Sequence, residues 1–283
     1  MASSAAAFAE REYNLRAAFP DHAQWFARWA ADSARARASM RVMRDVRYGA
    51  GPKQTLDLFP AQRPRGALLF IHGGYWRALD KNDHSFIAPP FVAEGIGVAV
   101  VNYDLCPDVR IADIVEECRQ AVDWLLREGE RHGVPARRLV IGGHSAGGHL
   151  TAMMYATDWK SRGSPADAIV GGVSVSGVFD LLPLIDVSFN SDLHLDPQSA
   201  REVSPAHLEP LLEVPLLLAA GADETGEFVR QSRDLWQRWP RVRPAAATGP
   251  LLVPDKHHFS VLTDFADPHS ALFAGTAGMF GSG

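Results

Sequence analysis

Residues 138–150 read RLVIGGHSAGGHL, and this stretch decides the fold. Its beginning, Arg138–Gly143, is an apolar run of the kind found in a strand that is buried on both faces. A helical pattern follows over Ala146–Thr157. The junction between them fits G-x-S-x-G, and in this strand–turn–helix setting the serine sits on a strained turn with its hydroxyl exposed. We therefore predict that Ser145 is a nucleophile, the alternative being that it only caps the helix.

Strand and helix patterns alternate outward from this stretch. We predict further strands at Val42–Tyr48, Gln54–Phe59, Ala67–His72, Gly97–Tyr103, Ala168–Ser176, Pro215–Gly221 and Ala246–Val253, and further helices within 20–40 and 110–130 and at Glu227–Trp239. A Gly- and Pro-containing turn joins the first two strands, which indicates an antiparallel hairpin at the sheet edge. The remaining alternation indicates the α/β class, with a mostly parallel sheet and helices on both faces. We expect one domain over 1–283, with an N-terminal helical segment at 1–40 and a cap-like insertion at about 179–209.

Composition excludes several classes of protein. The chain has 283 residues, 47% of them hydrophobic and 22% charged, which is typical of a globular domain and not of a disordered one. A net charge of −5 without a basic run argues against nucleic-acid binding. No apolar stretch is long enough to cross a membrane, and the N-terminus lacks the pattern of a signal peptide. Two cysteines cannot form a disulfide framework, so we expect a cytoplasmic protein. The sequence does not distinguish a monomer from a homodimer.

A nucleophilic serine needs a base and an acid that orients the base. On this architecture the order along the chain is serine, then Asp or Glu, then His. Asp223 directly follows the predicted strand PLLLAAG, and we favour it as the acid over Glu224 and Asp180. His258 follows the last predicted strand, and we favour it as the base over the neighbouring His257.

The sequence His72-Gly73-Gly74-Tyr75-Trp76 follows the predicted strand ALLFI. Amide groups in such a loop are suited to stabilise the oxyanion that forms when a carbonyl becomes tetrahedral. We predict an oxyanion hole formed by the amides of Gly74, Tyr75 and Ala146, with Gly73 as a further candidate. The alternative is an ordinary glycine turn between a strand and a helix.

Metal and nucleotide motifs are missing from the sequence. His144 and His149 do not form H-E-x-x-H, and neither a P-loop nor a G-x-G-x-x-G pattern occurs. We therefore predict no metal and no cofactor. Cys118 falls on the apolar face of its predicted helix, and Cys106 lies in a loop where a catalytic role would need a histidine nearby.

Several segments resemble the kynurenine formamidase (arylformamidase) group of the α/β-hydrolase superfamily. They are REYNLR at 11–16, DVRYGAGPKQTLDLF at 45–59, HGGYWRALDK at 72–81, NYDLCPDVRIADIVEE at 102–117, GHSAGGHL at 143–150, SGVFDLLPL at 176–184, GADETGEFVRQS at 221–232 and HHFSVL at 257–262. The resemblance implies Ser145 as nucleophile, Asp223 as acid and His258 as base. It also implies metal-independent hydrolysis of N-formylkynurenine to kynurenine and formate, with simple aryl esters as further substrates of relatives.

The aromatic residues of the loop suggest a basis for specificity. Tyr75 occupies a position where broad esterases more often carry a third glycine, so it would narrow the acyl side of the site. Tyr75, Trp76 and Phe179 would stack on an aromatic leaving group. The alternative is that Tyr75 and Trp76 only pack under the loop. A broad small-acyl carboxylesterase remains the competing function, and an inactive hydrolase fold used as a receptor is a third.

Overall fold

The computed structural model describes residues 4–281. Its strands are β1 (Met43–Arg47), β2 (Thr55–Phe59), β3 (Gly66–Ile71), β4 (Ile96–Val101), β5 (Leu139–His144), β6 (Ile169–Val175), β7 (Leu216–Gly221) and β8 (Leu251–Val253). They form one eight-stranded sheet in the order β1-β2-β4-β3-β5-β6-β7-β8. β2 is antiparallel to β1 and to β4, and the other neighbouring pairs are parallel. The predicted hairpin and the mostly parallel sheet are therefore confirmed.

Helices precede β1, lie in every connection from β3 to β8 and follow β8. They are α1 (Ser4–Tyr13), α2 (Leu15–Ala18), α3 (His22–Ser39), α4 (Ala88–Ala93), α5 (Ile111–Glu128), α6 (Ala146–Tyr155), α7 (Asn190–Leu193), α8 (Pro197–Glu202), α9 (Gly226–Arg238), α10 (Val261–Phe265) and α11 (Ala271–Gly278). Single 3₁₀ turns lie at Lys81–Asp83, Ser85–Ile87, Gly129–His132, Ala166–Ala168, Leu182–Asp186, Pro205–His207 and Pro240–Val242. Among the described residues, no helix is both long enough and apolar enough to cross a bilayer.

The centre of the sheet is the core of the protein. Every residue of β3, β4 and β5 is buried, as expected for strands with helices on both faces. The apolar stripe of α5, including Cys118, is buried as its periodicity predicts. The last strand is shorter than the predicted Ala246–Val253, because Gly249 and Pro250 precede it and proline has no amide hydrogen to donate to a ladder.

The loops after β3, β5, β7 and β8 leave the same edge of the sheet, because these strands are parallel. In open α/β sheets, ligands bind at this carboxyl edge. The insertion predicted at about 179–209 consists of short helical turns that include α7 and α8. It contacts the loop after β3 through an ion pair between Arg77 and Asp192 at 2.9 Å.

Candidate active site

Ser145 lies at the sharp turn between β5 and α6. Its backbone angles are φ 58° and ψ −119°, a left-handed conformation that is strained for a residue other than glycine. The turn needs glycine on both sides, because a Cβ atom at Gly143 would lie 2.2 Å from the Gly147 oxygen and one at Gly147 would lie 1.9 Å from the Ile71 oxygen. The Ser145 side chain makes no capping hydrogen bond to α6, so the helix-cap alternative is wrong.

His258 meets Ser145 as the sequence predicts. Its Nε2 lies 3.0 Å from Ser145 Oγ, and the imidazole is buried. The neighbouring His257 faces elsewhere, with its Nε2 3.2 Å from Asp21 Oδ2 and its ring stacked on Phe19. His144 fixes the backbone of His258, because His144 Nε2 donates a hydrogen bond to the His258 carbonyl oxygen at 2.8 Å.

The acid on His258 is Glu224, and the prediction of Asp223 is wrong. Glu224 Oε2 lies 2.8 Å from His258 Nδ1, and the Glu224 side chain is completely buried. Asp223 is exposed. The other rival, Asp180, accepts a hydrogen bond from the amide of Leu182 at 3.1 Å and is likewise away from the imidazole.

The turn after β7 explains why Glu224 points inward. The Glu224 amide donates to the Gly221 carbonyl at 3.4 Å, and Glu224 Oε1 accepts from the Gly221 amide at 2.8 Å and from the Ser176 hydroxyl. Gly221 also lets the His258 loop approach, since a Cβ atom there would lie 2.2 Å from the Lys256 oxygen. The carboxylate is thus held in a defined orientation against the imidazole.

The glycine loop after β3 lies beside Ser145. A Cβ atom on Gly73 would be only 3.0 Å from Ser145 Cβ, and Gly74 and Tyr75 have positive φ values of 112° and 51°. Within residues 4–281, the amides of Gly74, Tyr75 and Ala146 have no protein hydrogen-bond acceptor. These three amides are therefore free to donate to a ligand, and their role as the oxyanion hole stays a prediction.

His72 supports this loop from the protein interior. Burial lowers the pKa of His72 to about 4, so the ring is neutral at pH 7, and it stacks on Tyr103 with a centroid distance of 4.2 Å. Its Nδ1 lies 2.7 Å from the Gly73 carbonyl oxygen. Because the carbonyl and the following amide of a trans peptide point in opposite directions, this contact also fixes the direction of the Gly74 amide.

A cavity of about 200 Å³ opens over Ser145 and His258. Its other lining residues are Asn14, Leu15, Arg16, Phe26, Trp29, Gly74, Tyr75, Arg77, Ala78, Leu79, His144, Ser188, Phe189 and Phe259. The wall is thus largely apolar and aromatic, as expected of a small-molecule site.

Of the three predicted substrate-binding residues, only Tyr75 lines this cavity. Trp76 is completely buried and packs edge-on against His149 at 4.9 Å, so the packing alternative is correct for it. Phe179 is also buried, and its amide donates to Gln231 at 2.6 Å. The aromatic residue that the insertion contributes is instead Phe189, whose ring centroid lies 4.6 Å from that of Tyr75.

The N-terminal segment forms a wall of the cavity, a role that the sequence analysis did not assign to it although REYNLR at 11–16 resembles the kynurenine formamidases. The Tyr75 hydroxyl donates to the Tyr13 carbonyl oxygen at 2.7 Å. The Thr225 hydroxyl, next to Glu224, donates to the Glu12 carbonyl oxygen at 2.8 Å. These bonds tie residues 12–16 to both the glycine loop and the acid loop. The resemblance of REYNLR was the one signal for these residues, and it did not show that they line the cavity, because they lie far from Ser145 in the sequence.

Cys106 is not placed for catalysis. Burial raises the pKa of its thiol to about 11, and its amide donates to the Trp76 carbonyl oxygen at 2.8 Å. In the described part of the chain, no group of three or more His, Cys, Asp or Glu side chains could hold a metal ion. The absence of a metal and of a cofactor stays a prediction.

Comparisons with known proteins agree with this architecture. The BD-FAE family model matches residues 56–213. The chain is 31% identical over 241 residues to a kynurenine formamidase from Salmo salar, covering 82% of this chain and 80% of that protein. It is 28% identical to a kynurenine formamidase from Danio rerio, covering 84% and 82%. A proposed thioesterase from Silicibacter sp. TM1040 superposes with a TM-score of 0.84 at 32% identity, covering 94% and 98%.

The fold and these relatives define the protein as an enzyme of the α/β-hydrolase class. Within that class, the chain belongs to the BD-FAE family and to the family of the kynurenine formamidases.

Proposed function

We propose that this enzyme is a serine hydrolase that removes the formyl group from N-formylkynurenine, releasing kynurenine and formate. The observation that carries the proposal is the continuous relay from Glu224 through His258 to Ser145, with distances of 2.8 and 3.0 Å. The Salmo salar and Danio rerio relatives are both named kynurenine formamidases, which supports the choice of substrate.

The relay accounts for each proton in the reaction. Neutral His258 accepts the Ser145 proton at Nε2 as the serine oxygen attacks the formyl carbon. Glu224 accepts a hydrogen bond from Nδ1 of His258, holds this tautomer and stabilises the imidazolium that forms. The amides of Gly74, Tyr75 and Ala146 bind the resulting oxyanion. The enzyme atoms therefore complement the tetrahedral intermediate better than the planar substrate.

Collapse of this intermediate releases the amine. His258 donates its proton to the departing nitrogen, and a formyl ester remains on Ser145. Water, deprotonated by His258, then attacks this ester, and His258 returns the proton to Ser145 Oγ as formate leaves. An aryl amine is a better leaving group than an alkyl amine, because its lone pair is delocalised into the ring, so the same relay is sufficient for an aryl formamide.

The second candidate function is that of a small-acyl carboxylesterase. It is supported by the structural relative from Silicibacter sp. TM1040, which is described as a thioesterase. Both functions use the same relay, so substrates must distinguish them. We would measure kcat/KM of the purified enzyme for N-formylkynurenine and for phenyl acetate, with Ser145→Ala as the control for contaminating activity. The formamidase proposal expects N-formylkynurenine to be preferred. Hydrolysis of phenyl acetate without measurable release of kynurenine would favour the esterase.

We also propose that the enzyme acts as a single-domain protein in the cytoplasm on a small aromatic substrate and without nucleic acid. Cys106 and Cys118 are free and buried thiols, which suits a reducing compartment. Fractionation of the source cells would test the location, since recovery of the enzyme outside the cytoplasm would contradict it.

A further inference from the structure

The cavity mouth carries one positive charge that the protein does not neutralise. Apart from the histidines, the charged side chains that line the cavity are Arg16 and Arg77. Arg77 is neutralised by Asp192, 2.9 Å away. Arg16 is exposed and makes no hydrogen bond or ion pair within residues 4–281. Its guanidinium lies 5.8 Å from the centroid of the Phe26 ring, another residue of the cavity wall.

The carboxylates nearest to Arg16 in the sequence are engaged elsewhere. Glu10 accepts hydrogen bonds from Asn14 and Ser188, and these bonds lower the pKa of its carboxyl. Glu12 accepts from Arg11 at 3.0 Å and from the Glu227 amide at 3.3 Å. The Asp21 carboxylate accepts from the Trp25 indole at 2.8 Å. Arg16 thus remains available to an anion that enters the cavity.

The backbone that carries Arg16 is held in place. Leu15 is buried beneath the segment, and the Tyr13 hydroxyl donates to Glu227 at 2.6 Å and accepts from Gln231 at 2.7 Å. These contacts, together with the hydrogen bond from the Tyr75 hydroxyl to the Tyr13 carbonyl oxygen, fix the backbone position of Arg16 at the rim of the cavity. Only its side chain has to adjust when it meets a ligand.

We infer that Arg16 is a specificity residue that binds a carboxylate on the leaving group of the substrate. This inference rests on the proposed function, because N-formylkynurenine carries an amino-acid carboxylate at the end of its side chain, remote from the formyl group. A guanidinium binds a carboxylate through two parallel hydrogen bonds, which gives orientation as well as attraction. Arg16 would thereby favour carboxylate-bearing aryl substrates over neutral ones of the same shape.

The test compares pairs of substrates in which one member carries a carboxylate and the other lacks it. One pair is N-formylkynurenine and its decarboxylated analogue N-formylkynuramine, and a second is 3-(2-acetoxyphenyl)propanoate and the corresponding amide. For each pair the kcat/KM ratio of the carboxylate to its analogue is measured in the wild type, Arg16→Met, Arg16→Lys and Arg28→Met. Arg28 is the matched control, since it is an exposed arginine on α3 that pairs with Asp32 outside the cavity wall.

We expect Arg16→Met to lower the ratio at least about tenfold, mainly through KM for the carboxylate substrate, because a charge-assisted pair is lost. Arg16→Lys should recover part of the ratio, and Arg28→Met should leave it unchanged. A ratio that Arg16→Met does not change overturns the inference even when N-formylkynurenine is hydrolysed. If only the acetates are cleaved and their ratio depends on Arg16, the carboxylate site stands and the formamidase proposal fails. If none of the four compounds is hydrolysed, both fail.

Discussion

Glu224 Oε2 lies 2.8 Å from His258 Nδ1, whereas the adjacent Asp223 is exposed to solvent. Two neighbouring carboxylates thus have opposite environments, and only the longer side chain reaches the imidazole. Glu224 is further fixed by the Gly221 amide and the Ser176 hydroxyl, so its charge is held by three donors. This arrangement is what a base needs to keep one tautomer during catalysis.

Matched substitutions at these two carboxylates test the assignment. Glu224→Gln removes the charge that stabilises the imidazolium and should reduce kcat by about 10⁴, as for the equivalent change in serine proteases. Asp223→Asn should leave kcat within about twofold of the wild type, because surface substitutions rarely affect a buried site. Steady-state kinetics on N-formylkynurenine or an aryl acetate would check both. A large loss in Asp223→Asn with little change in Glu224→Gln would refute the assignment.

The two phenylalanines of the insertion should behave differently. Phe189→Ala removes a ring from the cavity wall beside Tyr75 and should raise KM for aryl substrates, with little effect on folding. Phe179→Ala removes a ring from the buried core and should lower the free energy of unfolding by about 3 to 5 kcal/mol. Denaturant unfolding and KM measured on both variants would show whether the roles are divided this way. An altered KM in a fully stable Phe179→Ala would argue against it.

Stability should fall as the pH drops below about 6.5. Burial lowers the pKa of His72 and His149 to about 4 and that of His84 to about 3, against 6.5 for ordinary histidine. The unfolded chain therefore takes up protons below pH 6.5 that the folded chain does not. Each such histidine removes up to about 1.4 kcal/mol of stability per pH unit between pH 6.5 and its folded pKa. The full contribution is present above pH 6.5.

The His149 contribution can be isolated by substitution. His149→Gln keeps a donor for the Val203 carbonyl oxygen, which His149 Nε2 contacts at 2.6 Å, but it does not titrate. The free energy of unfolding, measured by denaturant at pH 7.5, 6.0 and 5.0, should then fall less steeply than in the wild type. Equal slopes for the two proteins would contradict the proposed effect of burial.

The parts of the site that follow from backbone geometry were predictable from the sequence. G-x-S-x-G between a strand and a helix fixed Ser145, and the glycine pair after β3 fixed Gly73 and Gly74, because a side chain at any of these glycines would clash. The end of the last strand indicated His257 or His258, and the resemblance to the kynurenine formamidases favoured His258, the histidine before Phe259. Patterns of apolar residues likewise predicted the parallel strands and the buried face of α5, and the turn between the first two strands predicted the hairpin.

The parts that depend on side-chain direction were not predictable. Asp223 and Glu224 lie in one turn, and only the hydrogen bonds of Glu224 to Gly221 and Ser176 decide which one faces inward. The insertion has no period, so nothing in the sequence separates Phe189 in the cavity from Phe179 in the core. The contribution of Arg16 depends on how the N-terminal segment folds back over the sheet edge.

The most direct test of Ser145 as the nucleophile of a formamidase is hydrolysis of N-formylkynurenine by the wild type and by Ser145→Ala, followed as release of kynurenine and formate. We expect turnover by the wild type and a loss of kcat of about 10⁶ in the variant, as for loss of the nucleophilic serine in subtilisin. A folded Ser145→Ala that releases kynurenine at the wild-type rate, or a wild type that releases none, would contradict it.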